Sequence, residues 1–275
     1  MSDWQQHWSL QRDPFDARRS AFVPSPGHDE AVARLIHTIT TAGRSARLFA
    51  TAGLGKTRIL ERAIEAARHP ERRFARITAP TDGTDLYARL AIALGARLPL
   101  GGSRSVAWRA LVEAARLCRW QGLQVVLVID DCQRLISAAD RMDLDRLDEL
   151  DPDPSARLTV LRIGRPIEPV DLDTDRAHPT QDWSLAVRLD PLTRSETATY
   201  LETKLAAAGR SEPTFTPRAI TRLHAASAGI PRGIDRIAGL ALLGSAFRRL
   251  EMVSPDVVEE AASEWPANET SFAGY

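Results

Sequence analysis

Ala50-Thr51-Ala52-Gly53-Leu54-Gly55-Lys56-Thr57 is the stretch that decides how this chain is read. Gly53 and Gly55 let the backbone bend tightly and turn its N–H groups inward. The Lys-Thr pair that follows supplies an ammonium on a flexible stem and a hydroxyl. Together they match a glycine-rich phosphate-binding loop, with Ala50 standing where the first glycine is expected. Of the 36 lysines and arginines, only Lys56 and Lys204 are lysine. The sequence uses arginine nearly everywhere a cation serves. It keeps lysine where a compact charge must enter a phosphate cradle that a planar guanidinium would not fit.

The flanks agree with that reading. Arg47 to Thr51 reads as a short buried strand, and Thr57 to Arg68 as a helix stopped by His69-Pro70. A loop passing from strand to helix also gains the positive end of the helix dipole. The expected ligand is ATP, with ADP after turnover. Ala52, Gly53, Leu54 and Gly55 would line its phosphates, with Arg58 in the first helical turn. Lys56 would reach the β- and γ-phosphates, and the Thr57 hydroxyl would ligate Mg²⁺. An ordinary glycine-rich turn is the competing reading, and the two flanks weigh against it.

Two further segments extend the site. Val125-Val126-Leu127-Val128-Ile129 is an apolar, β-branched run ending in Asp130-Asp131. Such a run reads as a central parallel strand buried on both faces. Asp130 would stand beside Mg²⁺, and Asp131 would polarise the attacking water. Asp131 is one methylene shorter than the Glu common in such ATPases, so the water would be held loosely and hydrolysis slowed. In Gly229-Ile230-Pro231-Arg232, an arginine at the start of a helix could report on the γ-phosphate.

Working outward, the pattern alternates strand and helix up to Asp190-Pro191 and is helical beyond it. Helices are expected over His28 to Thr41, Asp85 to Leu94, Ser103 to Trp120 (Ser103 as cap) and Asp140 to Leu150, where Asp151-Pro152-Asp153-Pro154 breaks the last. Strands are expected over Phe74 to Thr78, Leu158 to Ile163 and Ser184 to Leu189, with a polar loop from Arg165 to Asp182. Thr193-Arg194-Ser195-Glu196 is a capping box opening a helix to Ala208. Thr216 to Ser227, Pro231 to Phe247 and Pro255 to Glu264 follow. The expected fold class is α/β: a P-loop core with a parallel sheet flanked by helices, followed by a small all-helical lid domain. The expected division is an extended N-terminal arm over 1–26, a nucleotide-binding domain over 27–190, the lid over 191–265 and a tail over 266–275.

Composition sets the limits. The chain has 275 residues, 44% hydrophobic and 26% charged, with zero formal net charge. No global field draws it to nucleic acid or acidic lipid. Cys118 and Cys132 form no motif and are expected to stay reduced, as in a cytoplasmic protein. The N-terminal stretch lacks the regions of a signal peptide. The longest apolar runs, Val125 to Ile129 and Gly239 to Phe247, are too short to span a bilayer, so no membrane insertion is expected.

The chain resembles the AAA+ ATPases, and within them the ExeA-like (general secretion pathway protein A) ATPases, related to the TniB-type transposition ATPases. The likeness runs from about Trp8 to about Ala262. It is carried by Trp8-Ser9-Leu10-Gln11-Arg12-Asp13-Pro14-Phe15, Ser25-Pro26-Gly27-His28-Asp29-Glu30-Ala31, Asp130-Asp131-Cys132-Gln133, Leu189-Asp190-Pro191-Leu192-Thr193 and Gly229-Ile230-Pro231-Arg232. The resemblance implies a nucleotide between core and lid, Ser25 to His28 near the adenine, and rings or filaments of identical subunits. It implies Asp131 as catalytic acid, Arg232 as second sensor and Arg165 near the first sensor position. The family's trans-acting arginine aligns with Ala186, two residues before Arg188. The large secretion members also carry a membrane span and a wall-binding region, and this sequence contains neither.

Three functional readings remain open at this point. The first is an oligomerising, slowly hydrolysing ATPase whose nucleotide state switches binding to a protein partner. The second is a nucleotide-binding scaffold with little or no turnover. The third is a DNA-bound transposition regulator, with phosphate contacts from Arg72-Arg73, from Arg104 and Arg109, or from Arg248-Arg249.

Overall fold

Gln124–Asp130 (β3) is apolar and β-branched, and every one of its residues is buried. A strand buried on both faces needs helices on both. Four more strands surround it: Ser45–Phe49 (β1), Arg72–Thr78 (β2), Leu158–Gly164 (β4) and Ser184–Arg188 (β5). In the computed structural model they form one sheet of order β2-β3-β4-β1-β5, every neighbouring pair parallel. The structure describes residues 3–16, 22–43, 45–80, 85–98, 102–135, 138–150, 157–166 and 184–264. The expected break at Asp151-Pro152-Asp153-Pro154, most of the loop after Arg165 and the tail 266–275 lie outside them.

The described residues gather in two units. One lies within Met1–Asp29, Thr51–Gly55 and Asp190–Tyr275, the other within Glu30–Ala50 and Lys56–Leu189. The second unit is the α/β one. Side chains alternate across a strand, so β3 feeds two layers. Val125, Leu127 and Ile129 pack with Leu86 and Leu90 of α4 (Leu86–Ala93) and with Leu111 and Cys118 of α5 (Arg104–Trp120). The opposite face meets α2 (Pro26–Thr40) and α3 (Lys56–Ala66). There Gln124 Nε2 donates to Ile39 O at 2.6 Å, and Arg72 Nη1 donates to Ala67 O at 2.8 Å.

Arg162 of β4 is buried. It donates to Asp145 Oδ1 at 3.0 Å, Asp148 Oδ2 at 2.5 Å and Leu144 O at 2.9 Å. This ties the end of α6 (Ala138–Arg146) and the 3₁₀ turn Leu147–Glu149 to the sheet. Burial pushes the Asp148 carboxyl above its ordinary range, and the Arg162 guanidinium opposes that rise.

The first unit is helical: α1 (Asp3–His7), α7 (Arg194–Ala207), α8 (Pro217–Ser227), α9 (Pro231–Phe247) and α10 (Pro255–Ser263). The capping box read at Thr193 is present, its side chain accepting from Glu196 N and Glu196 reaching back to Thr193 N. Pro217, Pro231 and Pro255 each sit in the first turn of their helix, where the missing N–H costs nothing. Lys204 lies inside this unit and donates to Asp235 Oδ1 at 2.9 Å and Oδ2 at 2.8 Å, and Tyr200 donates to Asp235 Oδ1 at 2.9 Å.

The segment expected to be an extended arm behaves differently. It opens with α1, and Trp8, Leu10 and Phe15 are buried with Leu201, Ile234, Ile237 and Leu242. Trp8 Nε1 donates to Leu242 O at 2.9 Å, and Gln11 N donates to Ala208 O at 2.8 Å. Large aromatic surfaces gain most when fully removed from water, so this segment completes the helical core. Smaller differences fall at element ends. β1 covers Ser45–Phe49 where Arg47 to Thr51 was expected, because the chain leaves the sheet to enter the glycine loop. Ser103 occupies the N-cap of α5 without a side-chain capping bond.

Candidate functional site

The sheet order places β4 between β1 and β3. The carboxyl ends of β1 and β3 therefore lie two strand spacings apart, about 10 Å. Such ends are where ligands bind in open α/β sheets. After β1, Ala50 N donates to Gly164 O at 3.2 Å as the last bond to the sheet. Ala50 is buried and is not among the positive-φ residues, so its methyl brings no backbone strain. Lys56, first residue of α3, donates from Nζ to Ala50 O at 2.9 Å. The ammonium thus folds back over the point where the loop begins. Thr57 and Arg58 lie exposed in the first turn of α3.

At the end of β3, the Asp130 carboxylate is largely buried. Oδ1 accepts from Asp131 N at 2.9 Å and Oδ2 from Arg76 Nη2 at 3.3 Å. Arg76 also stands 3.9 Å from Glu61 of α3. Asp131 has φ 58 and ψ 41, the left-handed conformation that Asp and Asn tolerate best. Its Oδ1 accepts from Gln133 Nε2 at 3.0 Å, and its Oδ2 lies 3.7 Å from Arg134 Nε. Gln133 Oε1 accepts from Arg165 N at 2.9 Å. Gln133 therefore joins the Asp131 carboxylate to the turn that ends β4.

That approach requires Gly164. A Cβ there would lie 2.9 Å from Gln133 Oε1 and 3.2 Å from Cys132 N. The sequence reading gave Gln133 no role. Its signal was an amide, with both a donor and an acceptor, two residues after the acid. The Arg165 side chain is exposed, and its contribution to this network is its backbone N–H. Burial pushes the Cys132 thiol up to about 12, and Cys132 Sγ donates to Ile129 O at 3.3 Å. Burial also raises the Cys118 thiol, so neither is a reactive nucleophile.

The loop residues Thr51–Gly55 group with the helical unit. Arg232 N, at the start of α9, donates to Gly53 O at 3.3 Å. The buried His28 shares 2.9 Å between Nε2 and Leu54 O. Gly53 and Gly55 have φ of +85 and +87. A Cβ on Gly53 would meet Arg232 Cβ and Ile230 Cγ2 at 2.9 Å, so glycine is required there by conformation and by space. Leu54 is buried and Ala52 half-buried. Gly229 is held equally closely: its O accepts from Leu192 N at 2.9 Å, and a Cβ would collide with Leu192 O at 2.2 Å. That exchange fixes the turn carrying Arg232, whose residue is exposed.

Among the described residues, no cluster of three or more His, Cys, Asp or Glu could hold a metal ion. Mg²⁺ commonly binds through one or two protein oxygens plus phosphate and water, which suits Thr57 and Asp130. The Lys56 ammonium, the Thr57 hydroxyl and the buried Asp130 carboxylate fit a Mg²⁺-nucleotide in donor chemistry. Ala186 pairs with Arg47 in the β1–β5 register, and Arg188 pairs with Phe49 at the end of β5. Four of the six arginines weighed for DNA have partners within the chain. Arg72 bonds Gln124 and Ala67, Arg104 pairs with Asp85 and Asp143, Arg109 with Ser105 O, and Arg248 with Glu260. Among the described residues, no helix is long and apolar enough to cross a membrane.

A family model described as "AAA domain" matches residues 40–170. General secretion pathway protein A of Aeromonas hydrophila is 29% identical over 256 residues, which are 89% of this chain and 45% of that protein. The chain thus spans less than half the length of the curated relative it matches. Cdc6p from Pyrobaculum aerophilum superposes with a TM-score of 0.65 at 19% identity, over 93% of this chain and 71% of that one. A Drosophila ORC structure bound to DNA gives 0.67 at 17%, over 94% and 65%. The Thermotoga maritima RuvB branch migration motor gives 0.52 at 14%, over 90% and 72%. These structures share the fold: a parallel five-stranded sheet flanked by helices, with a helical C-terminal region. The domain match and the secretion-protein likeness support an ExeA-like AAA+ ATPase.

Proposed function

From an AAA+ fold of ExeA-like type, we propose that this chain is an ATP-binding switch, an oligomerising and slowly hydrolysing ATPase whose nucleotide state sets its affinity for a protein partner. The observation that carries the reading is the glycine loop between β1 and α3, with the Lys56 ammonium turned onto Ala50 O at its start. Mg²⁺-ATP, when bound, supplies the anhydride to be cleaved and the metal's positive charge. Lys56 neutralises phosphate charge there, Thr57 and Asp130 offer oxygens to the ion, and Asp131 orients water. Arg232, whose backbone holds Gly53, is assigned the γ-phosphate contact.

Slow turnover follows from Asp131. Its carboxylate is one methylene short of Glu, so it reaches the water poorly even with Gln133 and Arg134 orienting its two oxygens. The same observation favours a second reading, a nucleotide-binding scaffold without turnover. We place the protein in the cytoplasm, working in a larger secretion-type or TniB-like transposition assembly. The partners found for Arg72, Arg104 and Arg248 weigh against DNA as the first ligand.

The test is Lys56→Ala. ATP binding, measured by titration of a fluorescent analogue, should be lost or severely weakened with the circular dichroism spectrum intact. Unchanged affinity refutes the site. Phosphate release compared between wild type and Asp131→Glu separates the two readings: a large gain marks a tuned-down switch, and none in either marks a scaffold.

A further inference from the structure

The glycine loop is held from the side of the N-terminal segment by His28, which the family resemblance had set near the adenine and not against the loop. His28 is 4% exposed. Its Nδ1 stands 3.2 Å from Ser25 N, a group that can only donate. Nδ1 is therefore the acceptor, and Ser25 Oγ donates to it as well at 2.7 Å. The ring proton then sits on Nε2, which donates to Leu54 O at 2.9 Å. Ser25 fixes the tautomer, and the tautomer fixes the bond to the loop. The ring itself is steadied by Phe22, edge to face at 5.7 Å between centroids. It lies close under Gly55, where an added Cβ would stand 3.3 Å from Nε2.

The consequence for the loop follows from peptide geometry. In a trans peptide the N–H and C=O point in opposite directions. Gly53 O accepts from Arg232 N, so Leu54 N–H points away from α9. Leu54 O accepts from His28, so Gly55 N–H points away from the imidazole. Two successive peptide planes are therefore set by donors behind them, and two successive N–H groups are turned the other way. A concave row of N–H groups is an anion site, and orienting it before the ligand arrives removes an ordering cost from binding.

Resting on the nucleotide reading, we propose that His28 is a positioning residue that presents the Leu54 and Gly55 N–H groups to the polyphosphate. It acts through Leu54 O and not through the base. Its ligand class is any di- or triphosphate, with or without a nucleoside.

Binding of ATP and of inorganic tripolyphosphate to the full chain tests this, each by competition against a fluorescent nucleotide. His28→Ala should weaken both by the same factor, about tenfold for one lost hydrogen bond to a buried carbonyl. His28→Gln, whose amide N–H reaches where Nε2 does, should restore most of the loss. Where the alanine variant does not fold, His28→Met keeps the volume without the donor and takes its place in the comparison. Weakened ATP with unchanged tripolyphosphate would assign His28 to the base and overturn the proposal, as would a methionine variant that binds like wild type. Wild type and Lys56→Ala run in parallel. A wild type that binds neither ligand overturns the nucleotide reading and this proposal together, whereas loss confined to Lys56→Ala overturns this proposal alone.

Discussion

Replacing Gly53 by alanine tests the loop more sharply than removing a charge. Gly53 sits at φ +85, where an L side chain costs about 1–2 kcal/mol. The new Cβ would also lie 2.9 Å from Arg232 Cβ and from Ile230 Cγ2. The Ile230 methyl can rotate away. Arg232 Cβ is fixed to the first turn of α9 and cannot. Overpacking of this kind costs about 1–3 kcal/mol. Together that is about 2–5 kcal/mol against the loop's present shape. If the strain falls wholly on that shape, ATP affinity drops between about 30-fold and a few thousandfold.

Gly122 provides the control. Its φ is +76 and a Cβ there meets nothing within 4 Å. Gly122→Ala should cost only the conformational part in thermal stability and leave ATP affinity alone. Nucleotide titration and thermal melting of both variants, with and without ATP, separate collision from conformation. If Gly53→Ala binds ATP like wild type and melts like Gly122→Ala, the tight approach of α9 to the loop is not part of the site.

Two further outcomes follow from neighbouring residues. Gln133→Ala releases the Asp131 carboxylate from the end of β4. Phosphate release should fall about tenfold, as for a lost orienting partner, with the ATP dissociation constant unchanged; equal loss in both would make Gln133 a structural residue. Cys132 titrates near 9.0 when unfolded and is pushed up to about 12 by burial. Between those values the folded chain binds the extra proton, so stability present below pH 9 is lost as pH rises toward 12, about 2 kcal/mol by pH 10.5. Cys132→Ser should flatten that loss in urea titrations at pH 8 and 10.5, and an unchanged alkaline slope would remove the thiol as its source.

Some of this molecule could be read from its letters and some could not, and the difference is one of range. The run from Val125 to Ile129 announced a strand covered on both faces because burial on two sides needs no alternation. The capping box at Thr193 was readable because its two bonds close within four residues. The turn from β1 into α3 was readable because Gly53 and Gly55 signal it within three residues. Trp8 was not, since the carbonyl its indole meets belongs to Leu242, 234 residues away. His28 was placed only by likeness to a family, and its bond to Leu54 spans 26 residues with no periodic pattern to signal it. Gln133 stood in view two residues from Asp131, but its second partner, Arg165 N, lies 32 residues on.

Lys204 is 5% exposed, with its nitrogen against Asp235 and over the rings of Phe15 and Tyr200. Acylation needs an accessible nitrogen, and burial against Asp235 denies it. An amine-directed reagent offered to the folded protein therefore meets one reactive side chain, Lys56. Labelling of Lys56, read apart from that of the α-amino group, becomes a footprint in which occupancy by any triphosphate can be followed as protection of one tryptic peptide without mutating the chain.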